Sequence, residues 1–407
     1  VAPKPTTGSL AVLVSAAAQG SGAVSITGPG GYRQRITSST TLSTLAPGSY
    51  TIATDTTQRL QDSIVGFRAL VGTVNGMGAT GSVTVTAGDT ARAAVAFGVH
   101  RFGGLVVGGS DSNEVLEVMP GQLSASGSIT PAADIDSVVA HPAAVALDGG
   151  GNLWVVSYDG NSIAMFTAAQ RATARGRVAP AVLITGLQHP WGIAVDGSGT
   201  VWVANQLNNT VVGYTASQVA VSGSPTPTVV LSDTTVAQAY LNSPSGLAFD
   251  AAGNLWVANN GGFIDEIPRA QLAASGAVKP AVVDSNPMVQ PSALAFDAAG
   301  NLWVTGYNPP SFVIEYAQQQ LATSEVTPAV TLTMSALGPS ARLWGIAFDR
   351  RGYLWTVSTR ALAAYAFSPA QLAASGSPTP TTTLTITSPA HGTGAQGVLL
   401  DPFVLLQ

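Results

Sequence analysis

Pro190-Trp191-Gly192-Ile193-Ala194-Val195-Asp196 runs directly into Gly197-Ser198-Gly199-Thr200-Val201-Trp202-Val203-Ala204-Asn205, and this stretch decides the fold. A short apolar strand ends on Asp, a glycine-containing turn follows, and a second apolar strand carries Trp six residues after the Asp. The first box recurs as Val145-Ala146-Leu147-Asp148, Leu247-Ala248-Phe249-Asp250, Leu294-Ala295-Phe296-Asp297 and Ile346-Ala347-Phe348-Asp349. Trp154, Trp256, Trp303 and Trp355 follow at the same spacing. A Gln comes 15 to 17 residues after each Trp: Gln170, Gln218, Gln271, Gln320 and Gln371. It opens a segment seen best as Gln371-Leu372-Ala373-Ala374-Ser375-Gly376, usually followed by Pro and a β-rich run.

Self-similarity at a period of about 50 residues marks a repeat architecture. Each unit reads as four strands: the Asp box, the Trp strand, a third strand such as Phe263–Ile267, and a fourth after Pro280. The Gln-Leu-Ala-Ala-Ser-Gly insert between the third and fourth is rich in helix formers and ends on Gly, which predicts one helical turn with a C-cap. Five units are complete. The sixth is split: Gly397-Val398-Leu399-Leu400-Asp401 repeats the first box, and residues 104–135 carry the rest, with Val106 in the Trp place and Gln122 sixteen residues later. A closed ring accounts for the split and removes open sheet edges. The expectation is an all-β chain with a six-bladed β-propeller over 100–407, closed by the C-terminal strand.

The pattern Pro190-x-Gly192-Ile193-Ala194-x-Asp196 with Trp202-Val203-Ala204-Asn205 resembles NHL-type repeats. It also resembles the wider gluconolactonase-like and virginiamycin B lyase-like propellers. The resemblance covers about three quarters of the chain and implies fold far more than activity. The Gln-led insert is not part of the ordinary NHL pattern. Gluconolactonase-like enzymes hold a channel metal with Glu, Asn and Asp; virginiamycin B lyase-like enzymes use His, with seven blades and an acidic metal site.

Residues 9–99 have another texture, after a tail of residues 1–8. Ser9–Val14, Ala23–Thr27, Tyr32–Thr37, Tyr50–Thr54, Ser82–Thr86 and Ala91–Phe97 read as strands. Gly28-Pro29-Gly30-Gly31, Ala46-Pro47-Gly48 and Ala87-Gly88-Asp89 separate them, which predicts an antiparallel β-sandwich. Leu45-Ala46-Pro47-Gly48-Ser49-Tyr50-Thr51-Ile52 resembles carboxypeptidase-regulatory-like and related Ig-like modules, which usually act as spacers or stalks.

Composition narrows the function. Charged residues are 9% of 407, with 21 acidic against 16 basic and a net charge of −5. That is no footprint for nucleic acid. The absence of Cys removes disulfides, thiolate chemistry and Cys-ligated metals. No apolar run reaches the 18 residues of a membrane-spanning helix. The start at Val1, in a Pro/Thr-containing tail, reads as a processed end, hence an extracytoplasmic protein, secreted or attached to the cell envelope.

Few residues offer chemistry. The repeat Trp residues read as packing between blades. The repeat Asp residues read as turn caps. The residue after each strand-opening Pro should face the channel mouth: Ala143, Trp191, Ser245, Ser292, Trp344 and Gln396. Trp191 and Trp344 then stand diametrically opposite, either plugging the channel or stacking a ligand. This ring holds no carboxylate, so neither metal nor cofactor is expected. His141 and His189 occupy one place in adjacent repeats, with Ser243, Gln290 and Arg342 equivalent; they are solvent-facing loop residues or a general base or metal pair. The loops after the Trp strands add Tyr158, Asp159, Asn205, Asn259 and Tyr307 to the same face. Gly392-Thr393-Gly394-Ala395-Gln396-Gly397 matches a dinucleotide fingerprint in letters only, since it opens a propeller strand.

The sequence reading is a non-catalytic binding or scaffold protein, whose partner is a glycan, a peptide or a cell-envelope protein. Its ligand residues would be Trp191, Trp344, Ser245, Ser292, Gln396, Arg342, Asn205 and Asn259. The alternative is a lactonase- or lyase-type enzyme using His141 and His189.

Overall fold

The computed structural model describes residues 5–15, 23–54, 59–62, 66–74, 80–101, 105–109, 113–118, 123, 125–131, 133–136, 139–173, 175–233, 240–284, 290–307, 311–324, 326–338, 342–349, 351–358, 363–386 and 398–400. The chain divides into two compact units, Val1–Phe102 and Gly103–Gln407.

The first unit holds two sheets. One orders Thr40–Leu45, Gly8–Ser15, Thr90–Arg101, Gly66–Val74 and Arg59–Asp62; the other orders Tyr32–Ile36, Val24–Gly28, Gly48–Thr54 and Thr80–Val85. Leu10, Val12 and Val95 of the first share one core with Ile26, Tyr50 and Ile52 of the second. The sequence reading expected purely antiparallel pairing. Gly8–Ser15 instead runs parallel to Thr90–Arg101. The long stretch of chain between them supplies the crossover that parallel neighbours require. In the Ala46-Pro47-Gly48 turn, the buried Tyr50 phenol donates to the Ala46 carbonyl at 2.9 Å.

The second unit consists of repeated antiparallel sheets. Pro190–Val195, Val201–Asn205, Thr210–Tyr214 and Val229–Ser232 form one in that order, and the four neighbouring repeats follow the same plan. In the sheet that joins the two ends of the unit, Val398–Leu400 pairs antiparallel with Leu105–Gly109, which continues to Glu114–Val118 and Ala133–Asp136. All five residues of each Trp strand are buried.

The Asp-to-Trp spacing has a direct cause. Asp250 Oδ1 accepts the backbone N–H of Asn254 at 2.9 Å, while Oδ2 accepts the Trp256 indole N–H at 3.2 Å. The same indole bond recurs at Asp148, Asp196, Asp297 and Asp349, at 2.9–3.2 Å. A carboxylate closing the turn thus also satisfies the one polar atom of the buried indole, which would otherwise be costly. Trp202, Trp256 and Trp303 meet Phe249, Phe296 and Phe348 of the following repeat edge to face.

The insert does more than form a helical turn. Its Gln bridges the turn and the segment that leads into the outer strand: Gln371 Oε1 accepts the Ser368 N–H and its Nε2 donates to the Thr379 carbonyl. Its Ser reaches back to the preceding repeat, where Ser275 Oγ accepts the N–H of Val230 at 2.9 Å. Gly276–Ala277 then lies parallel to Val229–Ser232. Equivalent parallel contacts join Gly127–Ile129 to Thr382–Ile386 and Arg175–Arg177 to Ala133–Asp136. Each covers an outer strand that would otherwise be an open edge.

Candidate ligand-binding site

The site is built where the inner strands begin. His141, His189 and Ser243 precede the strand-opening prolines with φ of 54°, 45° and 53°. Their backbone N–H groups donate to Asn113, Asn161 and Asn209 Oδ1 of the preceding repeat, each at 2.8 Å. Those Asn residues also have positive φ, which their side chain tolerates better than most. The paired turns fix two imidazoles on the face where the inner strands start.

After each proline the register against the Trp strand shifts, as between Pro190 and Ile193. A bulge of this kind re-aims a side chain, here Trp191. The next residue must be small, because a Cβ on Gly192 would lie 1.9 Å from the Ser245 carbonyl oxygen.

Trp191 and Trp344 meet edge to face, with ring centroids 4.8 Å apart and planes at 66°. Contacts extend outward from this pair. Tyr158 meets Trp191 at 4.8 Å and 78°, and Tyr307 meets Trp344 at 4.6 Å and 84°. His189 packs on Tyr158 at 4.8 Å, and the Arg342 guanidinium lies 4.8 Å over the Tyr307 ring. A Tyr of one repeat thus packs on the Trp and the pre-strand residue of the next, twice, three repeats apart. His141 joins against Tyr158 and Trp191. Edge-to-face pairs contribute about 0.5–1.5 kcal/mol each beyond burial. Trp344 is buried, while Tyr158, His189, Trp191, Tyr307 and Arg342 are partly exposed.

The indoles also line a cavity of about 80 Å³ with Ile193, Leu247, Leu294 and Ile346. That holds a few waters and is too small for a sugar. A ligand therefore has the outer surface of the aromatic cluster available, not the channel beneath.

The two ends of the cluster differ in charge. Asp159 Oδ2 lies 3.3 Å from His141 Nδ1 at one end. At the other, Arg342 Nη1 donates to the Tyr307 phenol oxygen. Burial, then the Asp159 charge, pushes the Tyr158 phenol above its ordinary pKa. His141 Nε2, Trp191 Nε1 and Arg342 Nε are buried polar atoms without a hydrogen-bond partner.

Ser245 and Ser292 line the same cavity beneath the indoles. Ser245 Oγ donates to backbone carbonyls and is buried; Ser292 Oγ, also buried, bonds the Thr305 hydroxyl and the Thr305 and Leu343 carbonyls. Asn205 and Asn259 are buried, with Oδ1 accepting the N–H of Gln188 and Asn242. Gln396 lies outside the described residues. Among the described residues, no group of three or more His, Asp or Glu could hold a metal ion.

Sequence reasoning missed Asp265. Its side chain is wholly buried and accepts from Asn259 Nδ2 at 2.9 Å. Burial above all, reinforced by Asp233 and opposed by the Asn259 bond, pushes its pKa up to about 8. An acid at a position where other repeats carry Ala164, Val212 and Ile314 was the available signal.

No protein-family model and no curated protein matches the chain. Solved structures do. The structure of a nidogen–laminin complex is similar at 14% identity and a TM-score of 0.50, over 73% of this chain and 98% of that one. Virginiamycin B lyase from Staphylococcus aureus is similar at 15% identity and a TM-score of 0.40, over 56% of this chain and 67% of that one. The extracellular domain of a one-component system from Bacteroides thetaiotaomicron is similar at 13% and 0.40, over 66% of this chain and 33% of that one. At such identities the likeness is one of fold, a β-propeller. No helix among the described residues is long and apolar enough to cross a membrane.

Proposed function

We propose that the chain is an extracytoplasmic, non-catalytic binding protein in which a β-sandwich module of residues 9–99 accompanies a six-bladed propeller of residues 100–407. The six-bladed ring is supported by the order of the inner strands. Each from Pro142–Leu147 to Leu343–Phe348 packs on the next, and Val398–Leu400 touches both the last and the first. The propeller face at the channel mouth binds a glycan foremost, with a peptide or cell-envelope protein as the other partner classes of that face.

One observation carries the reading: the partly exposed Tyr158, Trp191 and Tyr307, joined through the buried Trp344, with His189 and Arg342 packed on them. Aromatic rings with polar neighbours suit a sugar ring, whose C–H face stacks while its hydroxyls hydrogen-bond. Thermal unfolding of wild type and the Trp191→Ala/Trp344→Ala double variant against glycans, peptides and soluble envelope proteins tests it. Stabilisation by a glycan that the double variant loses supports the reading. No ligand in any class, or a shift that the double variant retains, refutes it.

The lactonase- or lyase-type alternative rests on the Asp159–His141 contact, which orients one imidazole as a base would be oriented. It requires turnover of a lactone or related ester that His141→Ala and His189→Ala abolish.

A further inference from the structure

We infer that the sugar on this face is acidic: a hexuronic acid at the end of a glycan, its ring against the exposed part of Tyr307 and its carboxylate on Arg342. The inference deepens the glycan reading above and rests on it.

Arg342 is an unusual base in its surroundings. Residues 103–407 carry eighteen acidic side chains against nine basic ones. Yet among the described residues its guanidinium has no carboxylate partner. Its contacts are the Tyr307 ring face and the Tyr307 phenol oxygen, and its Nε is buried without an acceptor. By contrast, Arg171 of the same unit pairs with Glu117 at 2.9 Å. A guanidinium held over a ring, without a carboxylate partner among the described residues, is pre-organised for a planar anion. Its fork matches a carboxylate in two parallel hydrogen bonds.

Three features turn an anion site into a site for one acidic sugar. The guanidinium rests on the partly exposed Tyr307, which is anchored edge to face on the buried Trp344 at 4.6 Å, so the anion position adjoins an exposed aromatic side chain. Among the described residues, Arg342 is the one Arg or Lys of the cluster, which suits a single carboxylate rather than a polyanion. The opposite end carries Asp159 beside His141, so a carboxylate is repelled there and the ligand has one orientation. The pre-strand place thus differs between the two halves of the cluster in a way that matters: His189 on Tyr158, Arg342 on Tyr307.

The test uses the full chain and calorimetric titration with methyl hexuronosides and hexuronate-ended disaccharides of the gluco, galacto and manno series. Each is compared with its neutral counterpart, identical but for CH2OH in place of the carboxylate. At least one acid should bind about tenfold or more tightly than its counterpart, as expected for a hydrogen-bonded charge pair. That advantage should shrink as salt is raised. Arg342→Gln should bring the acid down to its counterpart's affinity, and Arg342→Lys, which keeps charge without the fork, should recover part of it. Equal binding of acid and neutral sugar, or a preference that Arg342→Gln retains, overturns the acidic-sugar inference and leaves the glycan reading standing. Failure of every saccharide, acidic and neutral, overturns both.

Discussion

Ser126 Oγ accepts the backbone N–H of Thr383 at 3.0 Å, although 257 residues of chain separate them. The same bond links Ser222 to Leu183, Ser275 to Val230, Ser324 to Val283 and Ser375 to Thr331, each pair in adjacent repeats, at 2.9–3.1 Å. The Ser126 bond, beside the parallel pairing of Gly127–Ile129 with Thr382–Ile386, joins the first insert of the unit to the last complete repeat. Ser126→Ala should therefore cost the same as Ser375→Ala. About 0.5–1.5 kcal/mol is expected for each, since the hydroxyl satisfies an outer-strand N–H. Denaturant unfolding measures both. A cost for Ser375→Ala with none for Ser126→Ala would mean that the two ends of the unit do not meet in solution.

Asp265 gives the protein an unusual pH dependence. Its folded-state pKa of about 8 lies above the unfolded value of about 3.9. The carboxyl is therefore accommodated at no electrostatic cost below about pH 4. Stability falls as the pH rises from there to about 8, where the buried group ionises beside Asp233. Asp265→Asn removes the charge and should flatten this slope, raising stability at pH 8 by on the order of 1–3 kcal/mol after the cost of a new buried amide. Unfolding midpoints between pH 5 and 8.5 for both proteins decide it; parallel curves would show that Asp265 does not titrate there.

Much of this was legible because repeats announce themselves. An Asp and a Trp six residues apart, five times over, fix the strand pair, and the carboxylate–indole bond explains why that spacing recurs. Gly397–Asp401, read as a first box, pointed to the strand Val398–Leu400 that pairs with Leu105–Gly109. The channel-mouth candidates were less legible. Trp191 and Trp344 stand out as the two Trp outside the repeat position, but their ring contact depends on three-dimensional separation across the channel, which no local pattern encodes. Ser245 and Asn259 look like available polar groups in sequence. Their bonds to the Ala258 and Pro291 carbonyls and to Asp265 arise only when neighbouring repeats pack. The strands Thr40–Leu45 and Gly66–Val74 of the first unit are not legible in the sequence because their apolar and polar residues alternate weakly.

Gly192 should be intolerant of any side chain. A Cβ there would meet the Ser245 carbonyl oxygen at 1.9 Å, and that atom belongs to the next inner strand's backbone. Relief requires moving one inner strand away from the other, so Gly192→Ala should cost about 1–3 kcal/mol or more. Gly197, five residues on, has nothing within 4 Å of a built Cβ. Gly197→Ala should lie within about 0.5 kcal/mol of wild type. Equal effects of the two substitutions in chemical denaturation would contradict the close approach of the strands.

The contact between Trp191 and Trp344 predicts energetic coupling between positions 153 residues apart in sequence. Each Trp→Ala change alone loses the ring's packing and the edge-to-face contact, so the double variant should be less destabilised than the sum of the two. The difference should be about 0.5–1.5 kcal/mol, the contribution of an aromatic pair beyond burial. Trp191→Ala paired with Trp256→Ala is the control, because Trp256 packs against Phe296 of another repeat boundary and should add independently. Coupling in the first cycle and none in the second means that the indoles meet across the channel. They then form the floor on which a ligand rests. Additivity in both cycles means that they stand apart and leave the channel open between them, which would move any ligand into the channel itself.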